Sequence, residues 1–139
     1  DKRLKESIIA SWKITQKEFL MGRDSEYPLT EELKLNMFLT LSAVNVIREI
    51  YNKPMTVSSG YRPGKYNVAA GGASKSTHLT CEAVDFKDDD KAIGKWCEAN
   101  VPVLEALGIY IESLDTTHKG PNCWVHMQIR PTKNRFFKP

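Results

Sequence analysis

The sequence predicts a small α+β domain in which N-terminal helices pack on a short antiparallel sheet. Three observations favour this class: a long helical repeat of apolar residues near the N terminus, several short strand-like runs in the second half, and one helical run between them. At 139 residues, with 41% apolar and 27% charged residues, the chain has the size and composition of one globular domain with its own core. Residues 1–139 are therefore expected to form a single domain.

The N-terminal third has the pattern of helices. Leu4, Ile8 and Ile9 have helical spacing, and the run Thr15-Gln16-Lys17-Glu18 has the form of a capping box. After a turn at residues 22–28, the clearest helix is predicted from Glu31 to Tyr51, with Thr30 as its N-cap and Pro54 beyond its end. One apolar stripe follows this helix: Leu33, Met37, Leu41, Val44, Ile47 and Tyr51.

The second half alternates short strands with loops. Apolar and β-branched runs predict strands at residues 55–58, 83–86, 109–112 and 124–129. Three successive aspartates, Asp88 to Asp90, offer caps for a helix that carries Ile93, Trp96 and Cys97. Residues 71–74 are small and are expected to be irregular, and residues 133–139 are expected to be a tail or a linker.

Charge and cysteine content exclude several classes. A formal charge of +3 is too small and too dispersed to indicate nucleic-acid binding, and no apolar run is long enough to cross a membrane. Three cysteines without C-x-x-C spacing argue against a disulfide framework and a thiolate zinc site, although one pair could be bridged outside the cytosol. No signal peptide is recognised, and because the chain begins at Asp1 rather than Met, its compartment is not determined.

Two distant stretches look like halves of one metal site. His78 and Asp85 belong to the first and His126 to the second, and two imidazoles with one carboxylate are the ligand set of a zinc ion that keeps a position open for water. Such a zinc activates water, so the set points to hydrolysis. Strand periodicity places Asp85 on the face opposite Val84 and Phe86, and His126 and Gln128 on the face opposite Val125 and Met127. Structural histidines and a turn-capping aspartate are the alternative, which spacing alone leaves open.

Four further polar residues are considered for chemistry. Glu112 is the best candidate for a general base: in its apolar surroundings its carboxylate either faces solvent or lies in a cleft with a raised pKa. Glu82 is less suited, because period two turns it towards the side of Val84. Arg62, in a loop bounded by glycine and proline, could bind a substrate carboxylate or be a loop arginine without a role. His118 lies in a polar loop and is expected on the solvated surface.

These residues resemble a known family. The pattern S-x-H-x-x-G-x-A-x-D followed by W-x-H is similar to the zinc D-alanyl-D-alanine carboxypeptidases and their relatives, which include vancomycin-resistance dipeptidases, phage endolysins that cut L-alanyl-D-glutamate bonds, and the Hedgehog signalling domain. The matching positions are Ser76, His78, Ala83, Asp85, Trp124 and His126, and the upstream residues are Ser59 to Pro63, Asn67 and Gly71 to Ala73. The resemblance covers about residues 15–131. One departure is Cys81, which replaces the family glycine and puts the loop geometry in doubt.

The resemblance implies a function and a set of roles. His78, Asp85 and His126 would bind zinc, Glu112 would be the general base, and Arg62 would bind substrate. Ser76, two residues before His78, could by its position hydrogen-bond substrate or ligand, and a simple turn serine is the alternative. The implied enzyme cuts stem peptides of bacterial peptidoglycan, either as a D-Ala-D-Ala carboxypeptidase or as an L-Ala-D-Glu endopeptidase, and acts at the cell wall as a phage lysin, a virion-associated enzyme or a secreted one. It is expected to be a monomer. The alternative is a non-catalytic, zinc-containing wall-binding or structural module, because the same fold serves signalling in one relative.

Overall fold

The computed structural model describes residues 1–139, which form seven α-helices and one five-stranded sheet in a small α+β domain. The helices are α1 Lys2–Ala10, α2 Gln16–Leu20, α3 Glu31–Tyr51, α4 Gly64–Ala69, α5 Ala92–Ala99, α6 Val101–Leu107 and α7 Leu114–Thr117, with a 3₁₀ turn at Arg23–Ser25. The strands are β1 Val57–Ser59, β2 Ala83–Lys87, β3 Tyr110–Glu112, β4 Trp124–Gln128 and β5 Phe136–Phe137. None of the helices combines the length and apolar character needed to cross a bilayer.

Helix α3 contributes more residues to the hydrophobic core than any other helix, and its predicted bounds are confirmed. It begins after Thr30, whose side chain accepts a hydrogen bond from the Leu33 N–H, and it ends at Asn52 in a left-handed conformation. The middle of the predicted stripe is buried in the core: Met37, Leu41, Val44 and Ile47. Removing one such side chain costs about 2–5 kcal/mol of stability, as in a Leu41→Ala substitution.

The sheet has the strand order β1-β2-β4-β3-β5. Four strands pair antiparallel, as predicted, but β5 lies parallel to β3, so the sheet is mixed. The predicted faces are confirmed, because Val84, Phe86, Val125 and Met127 are fully buried in the core. The other face therefore carries the polar residues of β2 and β4, and this face positions the site.

The chain departs from the sequence prediction in its short elements. The first strand begins at Val57 rather than at Met55. Met55 precedes the strand and is buried in the core. Helices α4, α6 and α7 were not predicted, since runs of four to seven residues carry too little periodicity. Residues 133–139, which the sequence left open as a tail or a linker, include strand β5, in which Phe136 and Phe137 pair with Ile111 and Glu112.

Cys81 keeps the backbone conformation that a glycine would favour at its position. Its φ is +60°, its side chain is fully buried, and its carbonyl oxygen accepts a hydrogen bond of 2.8 Å from Thr40 Oγ1. Burial, reinforced by the charge of Glu82, raises the pKa of the Cys81 thiol to about 12. The thiol is therefore a core group rather than a metal ligand. All three cysteines are free.

Candidate metal centre

The side chains of His78, Asp85 and His126 converge, with one ligand atom from each lying within 4.8 Å of the other two. Asp85 and His126 are directly opposite each other on β2 and β4, and His78 comes from the loop before β2. Asp85 Oδ2 lies 3.2 Å from His78 Nε2, and Asp85 Oδ1 lies 2.9 Å from His126 Nδ1. Two adjacent strands and one loop thus bring the three predicted ligands together.

The outer nitrogen of each histidine faces a carbonyl oxygen. His78 Nδ1 lies 2.9 Å from the Gly60 carbonyl oxygen, and His126 Nε2 lies 2.7 Å from Gln128 Oε1. The Gln128 amide is oriented by its own donor, since Nε2 donates to the Arg130 carbonyl at 2.8 Å. A carbonyl oxygen only accepts, so the outer nitrogen of each ring is the donor, and the inner nitrogen of each ring faces Asp85.

This arrangement fits a divalent metal ion. The inner nitrogens of both rings and the Asp85 carboxylate converge on one point, and two His nitrogens with one carboxylate oxygen are donors that zinc accepts readily. Outer-nitrogen hydrogen bonds of this kind fix the tautomer and orientation of metal-binding histidines. Zinc therefore fits the residues present.

Burial and charge set the ionisation of the cluster. Burial by itself would raise the pKa of Asp85, but the charges and hydrogen bonds of His78 and His126 outweigh it and hold this pKa well below its usual range. Burial likewise opposes protonation of His126, yet the hydrogen bond and charge of Asp85 raise its pKa overall. Asp85 is thus an ionised carboxylate at neutral pH and is available as an anionic ligand.

The cluster forms the wall of an open cavity of about 360 Å³. Glu112, Arg62 and Ser76, the other residues singled out in the sequence, line the same cavity. Glu112 is half-buried at the end of β3. Burial raises the pKa of its carboxyl, the Asp85 carboxylate adds to this rise, and the two histidines oppose it. Of the two positions left open by the sequence, Glu112 occupies the one in a cleft.

Arg62 is held on the cavity wall by neighbouring polar groups. Its Nε donates to Asn67 Oδ1 at 3.1 Å, and its Nη2 donates to Ser76 Oγ at 3.4 Å. Asn67 is fixed in turn by a bond of 3.0 Å from its Nδ2 to the Ala73 carbonyl. A Cβ at Gly72 would lie 2.1 Å from Asn67 Oδ1, so this close packing requires glycine there. Burial lowers the pKa of Arg62, although an arginine remains protonated at neutral pH.

Comparison with protein families identifies the type of domain. The model of the family described as peptidase M15 matches residues 9–118, most of the chain. The protein belongs to the peptidase M15 family. M15 peptidases use zinc, and the family is one of zinc peptidases that act on peptidoglycan. A search of curated proteins found no match.

The segment that matches the M15 peptidases includes His78, Asp85 and Glu112 but ends before His126. The third member of the cluster is therefore connected to the other two by the sheet register, in which Asp85 is the partner of His126. The family match and the strand pairing are independent observations: the first covers the segment that carries His78 and Asp85, and the second adds His126.

Three residues of this M15 site were not predicted from the sequence: Gln128, Thr77 and Phe137. Gln128 was placed on the face of His126 but was given no role, although its period-two spacing was the available signal. Thr77 Oγ1 donates to Gln128 Oε1 at 3.2 Å and helps to hold it. The Phe137 ring lies edge-on to His126, with 6.0 Å between the ring centroids, because β5 carries it to the cavity. Only the tertiary pairing of β5 with β3 reveals Phe137.

Two predicted positions lie away from the cavity. The expectation that His118 is solvated is wrong: its Nε2 lies 2.8 Å from a carboxylate oxygen of the buried Asp88, which also accepts hydrogen bonds from backbone N–H groups at the start of α5. Glu82 bonds to Arg130 at 2.8 Å and does not line the cavity. Of the carboxylates considered as a base, Glu112 lines the cavity and Glu82 does not.

Proposed function

We propose that this protein is a zinc-dependent peptidase that hydrolyses a peptide bond in the stem peptides of bacterial peptidoglycan, with residues 1–139 acting as one catalytic domain. His78, Asp85 and His126 would be its zinc ligands. The observation that carries the proposal is the inward orientation of both imidazoles towards an ionised carboxylate, fixed by the carbonyl oxygens of Gly60 and Gln128. Membership of the M15 family supports it.

The metal would contribute Lewis acidity. Zinc held by two histidines and one aspartate keeps a coordination position open, where it polarises a carbonyl and lowers the pKa of water. The remaining chemistry belongs to the side chains of the cavity.

Glu112 is proposed as the general base and then the general acid. In hydrolysis the water oxygen bonds to the carbonyl carbon and the C–N bond breaks, so one proton must move from the water to the leaving nitrogen. Glu112 lines the same cavity as the cluster, and its raised pKa brings it closer to the neutral pH at which proton transfer by a carboxyl is most effective. The Glu112 carboxylate would accept the proton from the water and then donate it to the leaving nitrogen.

Arg62 is proposed to bind a negative charge of the substrate. Its guanidinium is anchored on one edge by Asn67 and Ser76, so it is oriented before the substrate arrives. A pre-oriented guanidinium stabilises a carboxylate or a developing oxyanion without reorganisation during the reaction. Ser76 also accepts a bond of 3.2 Å from the His78 N–H, which links the substrate-binding arginine to the metal-binding loop.

Two bonds of the stem peptide are candidates. A D,D-carboxypeptidase removes the terminal D-Ala, and an endopeptidase cuts between L-Ala and D-Glu. Either would serve a phage lysin, a virion-associated enzyme or a secreted wall enzyme.

The test is to incubate zinc-loaded protein with purified peptidoglycan and to identify the released products by mass spectrometry. Released single alanines support the carboxypeptidase, and new D-Glu amino termini support the endopeptidase. Absence of products from several wall chemistries, while zinc stays bound, would overturn the proposal in favour of a non-catalytic wall-binding module.

A further inference from the structure

The cleft continues beyond Asp85 into a second cavity of about 360 Å³. This second cavity is lined by Ser58, Asp85, Lys87, Asp89, Asn122, Cys123 and Trp124. Asp85 and Trp124 also line the cavity of the metal cluster, so these two side chains form the boundary that the cavities share. Arg62 and Glu112 line only the first cavity, and Lys87 lines only the second.

The strand register fixes the position of Lys87 relative to the cluster. Asp85 is opposite His126, and Lys87 is opposite Trp124, the next pair on the same face of the sheet. Residues two apart on a strand share a face and are separated by about 6.5–7 Å along it. Lys87 therefore extends from the same face as the metal-binding pair, one cross-strand pair farther along.

Lys87 has no carboxylate partner within the protein. It is exposed and forms no ion pair. Two acids line this cavity: Asp85 belongs to the metal cluster, and Asp89 already accepts a hydrogen bond of 3.0 Å from the Cys123 N–H through Oδ1. An unpaired ammonium group that lines a cavity beside a hydrolytic site is suited to bind an anionic group of the substrate.

We propose that the second cavity is a substrate subsite in which Lys87 binds a carboxylate of the peptide. This inference rests on the proposed peptidase function. Lys87 lies one cross-strand pair beyond Asp85, and an extended peptide advances about 3.3–3.6 Å per residue, so the carboxylate belongs to a residue about two positions from the bond that is cut. A peptide that ended before this residue would leave the cavity empty. The preferred substrate is therefore a peptide that extends into the second cavity and carries a carboxylate there.

The first experiment compares the binding of two synthetic peptides that differ only by a carboxylate or a carboxamide at this position. Binding is measured by fluorescence in the Glu112→Gln background, so that no cleavage interferes. The intact subsite should bind the carboxylate peptide about tenfold more tightly, as expected for a hydrogen bond to a charged group. Lys87→Gln should reduce this preference to less than twofold. Lys95→Gln, at an exposed lysine of α5 that lines neither cavity, should leave it unchanged.

The second experiment measures kcat/KM of the otherwise unmodified enzyme for the same peptides and for one shortened so that it lacks the residue that carries this carboxylate. The carboxylate peptide should be cleaved fastest and the shortened one at least about tenfold more slowly. A carboxylate preference that survives Lys87→Gln, or equal cleavage of the shortened peptide, would overturn the subsite while leaving the peptidase function standing. No cleavage of any peptide, together with a Lys87-dependent binding preference, would reject the peptidase function and retain the subsite.

Discussion

Gln128 provides the sharpest test of how the metal cluster is held in place. Its Oε1 accepts from His126 Nε2 at 2.7 Å and from Thr77 Oγ1 at 3.2 Å, and its Nε2 donates to the Arg130 carbonyl at 2.8 Å. A Gln128→Leu substitution keeps much of the side-chain volume but removes all three interactions. The His126 ring then loses the carbonyl oxygen that accepts from its outer nitrogen and keeps only Asp85 as a carboxylate partner.

The expected loss has two parts. Removing the outer hydrogen-bond partner of a metal-binding histidine weakens metal affinity by about 10–100-fold. Three hydrogen bonds at about 1 kcal/mol each also contribute about 3 kcal/mol to the stability of the metal-free protein. Because 1 kcal/mol shifts the melting temperature of a domain of this size by about 4 °C, the metal-free variant should melt about 12 °C below the parent.

Zinc affinity is measured by competition with a chelating dye, and stability by thermal unfolding without metal. The matched control is Thr77→Val, which removes one donor to Gln128 but leaves the bond between Gln128 and His126 intact. We expect this control to change the zinc Kd by less than about threefold. A Gln128→Leu variant that binds zinc within twofold of the parent would refute the assigned role of Gln128.

Three further predictions concern the cavity. Glu112→Gln should keep zinc bound while lowering kcat at least about 100-fold, and unimpaired peptide release would remove Glu112 from the mechanism. Because burial raises the pKa of Glu112, kcat/KM should fall with decreasing pH through a midpoint above the usual 4.5 of a glutamate, and a midpoint at or below 4.5 would contradict the buried position. Gly72→Ala should displace Asn67 and raise KM about tenfold without loss of zinc, whereas Gly71→Asn, with open space around it, should leave KM nearly unchanged.

The features that the sequence predicted well are those set by local periodicity. Helix α3 has five full turns of apolar spacing and a threonine cap, so its bounds follow from the sequence alone. Strands β2 and β4 each have five residues, in which apolar and polar side chains alternate from the second residue on, and this was enough to assign Asp85 and His126 to the face away from the core. The approach of Asp85 to His126 follows from those two assignments and the antiparallel register, whereas His78 reaches the cluster from the loop before β2.

The features that the sequence did not predict depend on tertiary pairing. Phe137 lies near His126 only because a strand of two residues pairs with β3, and two residues carry no usable periodicity. His118 is on a polar segment, but its ring is drawn to the buried carboxylate of Asp88, 30 positions earlier in the chain. The carbonyl of Gly60 meets His78 across 18 positions. Local patterns contain no information about such contacts.

The most direct test of the central claim is X-ray absorption at the zinc edge on protein loaded with one equivalent of zinc, for the parent and for His126→Ala. The parent should bind one zinc ion with two imidazole nitrogens and oxygen donors in its first coordination sphere. His126→Ala should show a single imidazole and an affinity lower by at least about 100-fold. A variant that retained two imidazoles at the zinc and the parent affinity would show that the metal is held elsewhere.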